Sequence, residues 1–510
     1  MKAAGWHIKP WKEDNLSKDF GLEQYGPGKR MKDMIADKKY YLDTFKVTTG
    51  QLERIVAEGS KGGNFCDLFF ESTAYTDILL RDGQVNSGGF HIDYGCGVRV
   101  LNQDKTGYAY SETTDAASLD AAVKAACAIG EGDTPMPHIY RGMPNPSADR
   151  YPINGDWRVE PASEHIPFLR KLQSAIESRD KRAKKIVAMI SSSVSDVLMF
   201  NSVREMKFDT RPMVSVSVSV VFEQGEGAQK KVENCSVSRS FRMGSEMLTA
   251  SLINEIADEA VRGLDARFDA RRPKGGRMSV VMGAGASGIL LHEAMGHAFE
   301  ADFNRKGQSV FSGRIGERIC RKGINVVDDA TIRYNRGSVN FDDEGVPGQR
   351  TMMVEDGILT SYLHDRISAS YFGVTPTGNG RRESFRYSPL PRMRATYMEG
   401  GNDGTAEDII ASVKNGIFVD NFANGQVKIG EGDFTFYVKS GFLIENGRLT
   451  MPVKDINVIG NGPEALANIT AVANDLKIDN GTWTCGKGQS VPVSCGIPTV
   501  LVEGLTVGGE

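Results

Sequence analysis

The chain has 510 residues, more than one core usually organises, so at least two domains are expected. Its 40% hydrophobic and 25% charged content is that of a soluble globular protein with a large core. The 61 basic and 65 acidic residues are intermixed and leave a net charge of −4, which excludes a chain built chiefly to neutralise phosphates.

Residues Met1–Lys46 are polar and Lys-rich and read as an N-terminal extension over the surface, helical near "GKRMKDMIADKKYYLDTF". The opening "MKAAGWHIKPWKEDN" lacks the apolar segment of a signal peptide, and no run reaches membrane-spanning length. A cytoplasmic protein without membrane or direct nucleic-acid partners is expected. Seven cysteines without a C-x-x-C suggest thiols or metal ligands rather than a disulfide framework.

From Val47 the pattern is mixed α/β. "CDLFFESTAYTDILLRDGQVNSGGF" predicts two or three strands turning at Asp82-Gly83, and "SLDAAVKAACAIG" a helix from an N-cap at Ser118 to Gly130. A Pro-dotted loop region from Gly132 to about Ala162 precedes a charged helix near Ile166–Lys185. "MVSVSVSVVFE" predicts a strand with Val214, Val216, Val218 and Val220 on one face and serines on the other. A helix capped by Ser245 follows, and "FDARRPKGG" marks the boundary between an α/β domain over 47–270 and a second domain over 277–510.

In that second part Asp356-Gly357, Asn424-Gly425 and Asn446-Gly447 each separate apolar alternating runs. Repeated hairpin signals predict a β-rich antiparallel barrel or sandwich, so the whole is of the α+β class. One helix is expected early in this part, in "VVMGAGASGILLHEAMGH", and it carries two competing signatures.

Gly283, Gly285 and Gly288 spell G-x-G-x-x-G, the turn that holds a pyrophosphate in a βαβ unit, as in a dinucleotide-binding oxidoreductase. That reading needs a parallel strand ending in an acid about 20 residues later. Instead the polar "ADFNRKGQSVFSGRIGERIC" follows, and Asp328 arrives too late. A structural turn, packing helix against strand, is the better reading of the glycines.

His292, Glu293 and His297 form the second signature. In a chain with seven histidines, two flank this short segment with a glutamate after the first. Zinc peptidases use H-E-x-x-H, whose ligands lie about 40° apart around a helix; one more residue separates them by roughly 140°. Two imidazoles can then share an ion only if the helix widens into a π turn or ends near Gly296. A catalytic zinc also takes a third protein ligand and keeps an open position. Glu300, Asp302, Cys320, His364, Cys485 and Cys495 are all available, and composition does not choose among them.

"GILLHEAMGHAFEADF", "VNFDDEGVPGQRTMMVEDGILTSYLHD", "TGNGRRESFRYSPLPRM", "TWTCGKGQSVPVSCGIPTVLVEGLTVGG" and "DILLRDGQVNSGGFHIDYGCGVRVL" together resemble the TldD/PmbA family. The resemblance runs from about Val47 onward, and the H-E-x-x-x-H places the chain nearer the TldD branch. It implies a zinc metalloprotease with an α/β N-terminal and a β-rich C-terminal domain. By the same resemblance His292, His297 and Cys485 are zinc ligands, Glu293 is the catalytic base, and a PmbA/TldE-type chain is the partner. A homodimer is the alternative assembly. "EAD" departs from the commoner "EGD", and Met1–Lys46 is unmatched.

The reading is thus a zinc-dependent endopeptidase or processing protease acting on unfolded peptides or small labile proteins. Zinc acidifies a water, and Glu293 takes its proton and passes it to the leaving amine. The alternative outside enzymology is a regulatory binding subunit, since members of the family have been described as modulators of DNA gyrase. Arg381, Arg382, Arg386, Arg392 and Arg394 read as a solvated or ion-paired face, with one able to hold a peptide carboxylate or an oxyanion. Asp342, Asp343 and Glu344 read as a turn or a hard-cation site, and His364 beside Asp365 as a proton relay lacking its third member.

Overall fold

The computed structural model describes residues 38–129, 149–428 and 430–508. Its first half is built on one antiparallel six-stranded sheet, in the order β3-β2-β1-β4-β5-β6. The strands are β1 (Phe65–Arg81), β2 (Gln84–Asn102), β3 (Lys105–Ser111), β4 (Ala183–Asn201), β5 (Met206–Gln224) and β6 (Lys231–Phe241). The β1–β2 turn is Asp82-Gly83 as expected, with φ of 48° and 82°, the left-handed pair that a tight hairpin requires.

Helices cover one face of this sheet. Val214, Val216, Val218 and Val220 of β5 pack on α4 (Ile166–Arg179) and α5 (Ala250–Val261) in one apolar cluster. Leu68 and Phe70 of β1 and Val98 and Val100 of β2 pack on α1 (Lys38–Thr44), α2 (Thr49–Gly59) and α3 (Ala116–Cys127). The opposite face receives the second half of the chain: Phe69, Val197 and Met199 meet Phe341 and Phe385. The serine side of β5 also faces protein, since Ser215 bonds Ser240, which accepts from Arg336.

Several local expectations are corrected. Residues Lys38–Lys46 are not spread over the surface, because Tyr41 and Phe45 are buried in the core; the rest of the extension lies outside the described residues. The N-cap of α3 is Asp115, whose carboxylate accepts from the Ser118 N–H, so Ser118 is the third helical residue and not the cap. Helix α3 ends at Cys127; Gly130 and most of the loop expected from Gly132 lie outside the described residues. Thr249, not Ser245, caps α5, because Ser245–Met247 form a separate 3₁₀ turn.

The second half contains a closed barrel. Strand β7 (Gly276–Met282) pairs in parallel with Asn415–Lys428 and antiparallel with Val500–Gly508. Val500–Gly508 continues to Ile456–Asn461, that strand to Asp433–Glu445, and Asp433–Glu445 back to Asn415–Lys428. The barrel is therefore antiparallel except at one pair. Asp356-Gly357 and Asn446-Gly447 turn hairpins with positive φ, but Asn424-Gly425 lies inside the strand Asn415–Lys428. There Gly425 makes room for the Phe436 ring, 2.3 Å from where a Cβ would sit. A second sheet, with Val326–Asp329, Ala395–Met398 and Ser494–Ile497 adjacent to one another, lies beside the barrel.

Candidate metal centre

The glycines after β7 serve packing. Gly285 has φ of +96° and donates to Ile497 O at 2.9 Å, and a Cβ on Gly288 would lie 2.5 Å from the Gly496 nitrogen. They turn the chain out of a barrel strand and let the next segment touch Ser494–Ile497. Strand β7 is not the start of a parallel βαβ unit.

Residues Ile289–Leu291 make one α turn, with Leu290 and Leu291 fully buried. The helix then widens: His292–Gly296 form a π turn, closed by the His297 N–H on the His292 carbonyl, and His297–Phe299 tighten into a 3₁₀ turn. The i→i+5 bond absorbs the extra residue and brings both imidazoles to one side, their ring centroids 5.0 Å apart. Gly296 contributes through space rather than through backbone freedom. Its φ is an ordinary −56°, but a Cβ would lie 2.0 Å from Met393 Sδ.

Cys485 reaches the same point from a short hairpin, Thr484–Gly486 paired with Ser490–Pro492. Its Sγ lies 3.2 Å from His297 Nε2, and ligand atoms of His292, His297 and Cys485 all fall within 4.8 Å of one another. All three are buried. The Nδ1 of His292 is buried without a hydrogen-bond partner. Two imidazoles and a thiol within one ligand span make a donor set suited to zinc.

Electrostatics favours the thiolate. Burial raises the Cys485 thiol, but the neighbouring His292 and His297 outweigh it and bring the thiol down to about 4. Burial lowers His297, whereas Glu300 and Cys485 lift it well above the ordinary imidazole range. Burial pushes the Glu293 carboxyl up, opposed by His292 and His297. Glu300 is held down at about 2, because Lys487 and His297 more than offset its burial.

The other candidate ligands stand apart. Glu300 backs His297, its Oε2 3.0 Å from Nδ1, and Asp302 accepts from Lys487 at 2.7 Å. Cys320, His364 and Cys495 contribute no atom to the cluster. Four of the five arginines read as a face are interior: Arg381, Arg382, Arg392 and Arg394 are buried, and only Arg386 pairs near the surface, with Asp93 and Glu112. Asp342, Asp343 and Glu344 form a buried turn in which Arg211 bonds Asp343 and Arg99 bonds Glu344. Asp365 caps the helix Arg366–Phe372, and His364 Nδ1 has no partner, so no relay is built there. Lys487 and Arg392 were missed as neighbours of the centre; the one hint was Lys487 lying two residues after Cys485.

Models of the PmbA/TldA metallopeptidase family match residues 66–130 (domain 1), 156–267 (central domain) and 275–509 (C-terminal domain). A metalloprotease TldD homolog of Haemophilus influenzae is 39% identical over 455 residues, covering 88% of this chain and 93% of that one. A zinc metalloprotease TldD homolog of Saccharolobus solfataricus is 26% identical over 451 residues, with 88% and 97% covered. The solved TldE of Thermococcus kodakarensis shares the fold, with a TM-score of 0.69 at 18% identity over 90% of this chain and 100% of its own. Alignment along 88% of the chain at 39% identity, with a family model over each part of it, leaves one assignment. The chain belongs to the TldD/PmbA family of metalloproteases.

Proposed function

We propose that this chain is a zinc-dependent peptidase, with His292, His297 and Cys485 as ligands and Glu293 as general base. The observation that carries the reading is the convergence of three buried donor atoms within 4.8 Å, from a π turn and a remote hairpin. Zinc held there supplies Lewis acidity, polarising a scissile carbonyl and making a water easier to deprotonate. Glu293 follows the first ligand directly and, among the described residues, has no hydrogen-bond partner to compete for its carboxylate. It accepts the proton of the attacking water and delivers it to the leaving amine. A thiolate donates more charge than a third imidazole would, so more of the deprotonation falls to Glu293.

The substrate class we infer is peptides and unfolded chains, held as an added strand on a sheet edge by backbone hydrogen bonds. We infer a cytoplasmic enzyme completed by a PmbA/TldE-type chain. A TldE chain with the same fold exists in Thermococcus kodakarensis, which makes a related partner chain available to the reading. No helix among the described residues is long and apolar enough to cross a membrane. We divide the chain into a sheet domain over 47–270 and a domain over 277–510 that carries the centre, with β7 beginning one residue before the second bound.

The test is metal analysis of protein purified without added metal, followed by peptide-cleavage assays with and without the partner chain. About one zinc per chain is expected, with casein cleavage rising on addition of the partner at unchanged metal content. Zinc without hydrolysis in any partnered state would leave a regulatory binding subunit. Absence of metal would overturn the centre itself.

A further inference from the structure

Glu300 is fully buried three residues beyond His297, yet it is not one of the three donors. A carboxylate taken wholly out of water is costly unless it is paired and hydrogen-bonded. Its partners are specific. Oε2 accepts from His297 Nδ1 at 3.0 Å and lies 3.0 Å from Lys487 Nζ, while Arg392 Nε lies 3.7 Å from Oε1.

Both cations belong to the cysteine's surroundings. Lys487 follows Cys485 by two residues and also donates to Asp302 Oδ1 at 2.7 Å and Pro391 O at 3.2 Å. Arg392, fully buried, donates to the carbonyls of Cys485 and Gln489 at 2.7 and 2.9 Å. One carboxylate therefore touches a histidine directly and reaches the cysteine hairpin through two cations.

The chemistry of imidazole makes this arrangement directional. An ionised carboxylate only accepts, so His297 Nδ1 keeps its hydrogen and Nε2 is the nitrogen that would offer a lone pair to a metal. Nε2 is the atom 3.2 Å from Cys485 Sγ. The hairpin has no comparable covalent tie, since 188 residues separate Cys485 from His297.

We propose that Glu300 is the positioning residue of the centre. It fixes the His297 tautomer and, through Lys487 and Arg392, pins the Cys485 hairpin against the π turn. This role rests on the metal-centre reading above. Glu300 itself touches neither substrate nor the reacting atoms; it acts through His297, Lys487 and Arg392.

The experiment measures zinc affinity of the full chain by chelator competition, together with the absorption spectrum of the cobalt-substituted protein. Glu300→Gln keeps the side chain's shape but loses the charge that pairs with both cations. Zinc should bind about 10- to 100-fold more weakly, the usual cost of losing a partner behind a ligand. Lys487→Met keeps the stem over Phe303, 4.2 Å from the present ammonium, and removes only the link to the hairpin. Its affinity should fall between wild type and Glu300→Gln, with a weakened thiolate-to-cobalt charge-transfer band; the melting temperature of the metal-free protein should fall in both variants, because each leaves a buried charge short of a partner.

A carboxylate that merely supports the fold would lower that melting temperature and leave both affinity and spectrum unaltered. Wild-type affinity and spectrum in the two variants overturn the role. If Glu300→Gln fails to fold, unchanged values in Lys487→Met overturn it alone. Failure of the wild-type chain to bind either metal overturns the metal-centre reading, and this role with it.

Discussion

The sheet half and the barrel half bury their strands by different logics. In the six-stranded sheet, four of the five pairings join strands consecutive in sequence, and only β1–β4 spans a longer connection. In the barrel, β7 lies between Asn415–Lys428 and Val500–Gly508, both well over a hundred residues away. Buried charge sits where segments from the two halves meet, as where Arg99 of β2 pairs with Glu344, and around the centre at Glu300 and Arg392, whereas the helix-covered face of β5 is valine. The contrast teaches that local pattern builds the platform, while chemistry collects where distant segments meet and interior charges need partners.

The largest effect expected from breaking this contrast is at Glu293. Glu293→Gln should keep zinc yet lower peptide hydrolysis by about 10²–10⁴-fold, because the amide cannot accept the water's proton. A control on the sheet, Ser217→Ala, should leave both quantities unchanged. Equal loss of metal and activity in Glu293→Gln would make Glu293 a ligand or a structural residue instead.

Next is the hairpin. Cys485→Ser or His292→Ala should lose most of the zinc, whereas Cys495→Ser should keep it. Cys495 is buried on the neighbouring strand Ser494–Ile497, with its thiol pushed up well above the ordinary range by burial. Metal analysis of the three variants decides the matter: stoichiometric zinc in Cys485→Ser assigns the third ligand elsewhere.

The interior of the second half should also show in its response to acid. Burial lowers His364 from 6.5 to about 4. The unfolded chain therefore binds a proton in that window that the folded chain refuses, so stability is complete above about pH 6.5 and is lost as pH falls toward 4. The loss is about 3 kcal/mol across the window. His364→Phe should flatten urea-unfolding profiles between pH 6.5 and 4.5; parallel profiles for variant and wild type would count against a desolvated His364.

The smallest effect belongs to the sheet half. Thr249→Ala removes the side chain that accepts from the Leu252 N–H and should cost about 1 kcal/mol. Ser245→Ala, at the position that reads as the cap in sequence, should cost less. Thermal melts of the two variants order them.

Legibility in the sequence followed how local each feature is, not which half of the chain holds it. Asp82-Gly83, Asp356-Gly357 and Asn446-Gly447 were readable because a hairpin turn demands positive φ, and the dipeptide supplies it. Asn424-Gly425 carries the same letters for another reason, the room Phe436 needs, and that reason resides in a different strand. The H-E-x-x-x-H is visible because its parts are local; counting angles leaves a π turn or a helix end near Gly296, and the structure has the π turn. Cys485 came only through family resemblance, since nothing within 188 residues of spacing says which cysteine returns. The arginines of "GRRESFRYSPLPRMR" read as a solvated or ion-paired face because side-chain type indicates charge, not which way a strand faces; Arg392 is in fact fully buried.

The distance between His297 and Cys485 has a consequence for biosynthesis. The histidines and Glu293 leave the ribosome long before the cysteine does, and the barrel closes only when Val500–Gly508 takes its place beside β7. A growing chain thus exposes two imidazoles and a carboxylate but no three-donor site. With the centre proposed above, metal uptake would be one of the last events of maturation, and an unfinished chain would not cut its own unfolded segments or those of its neighbours.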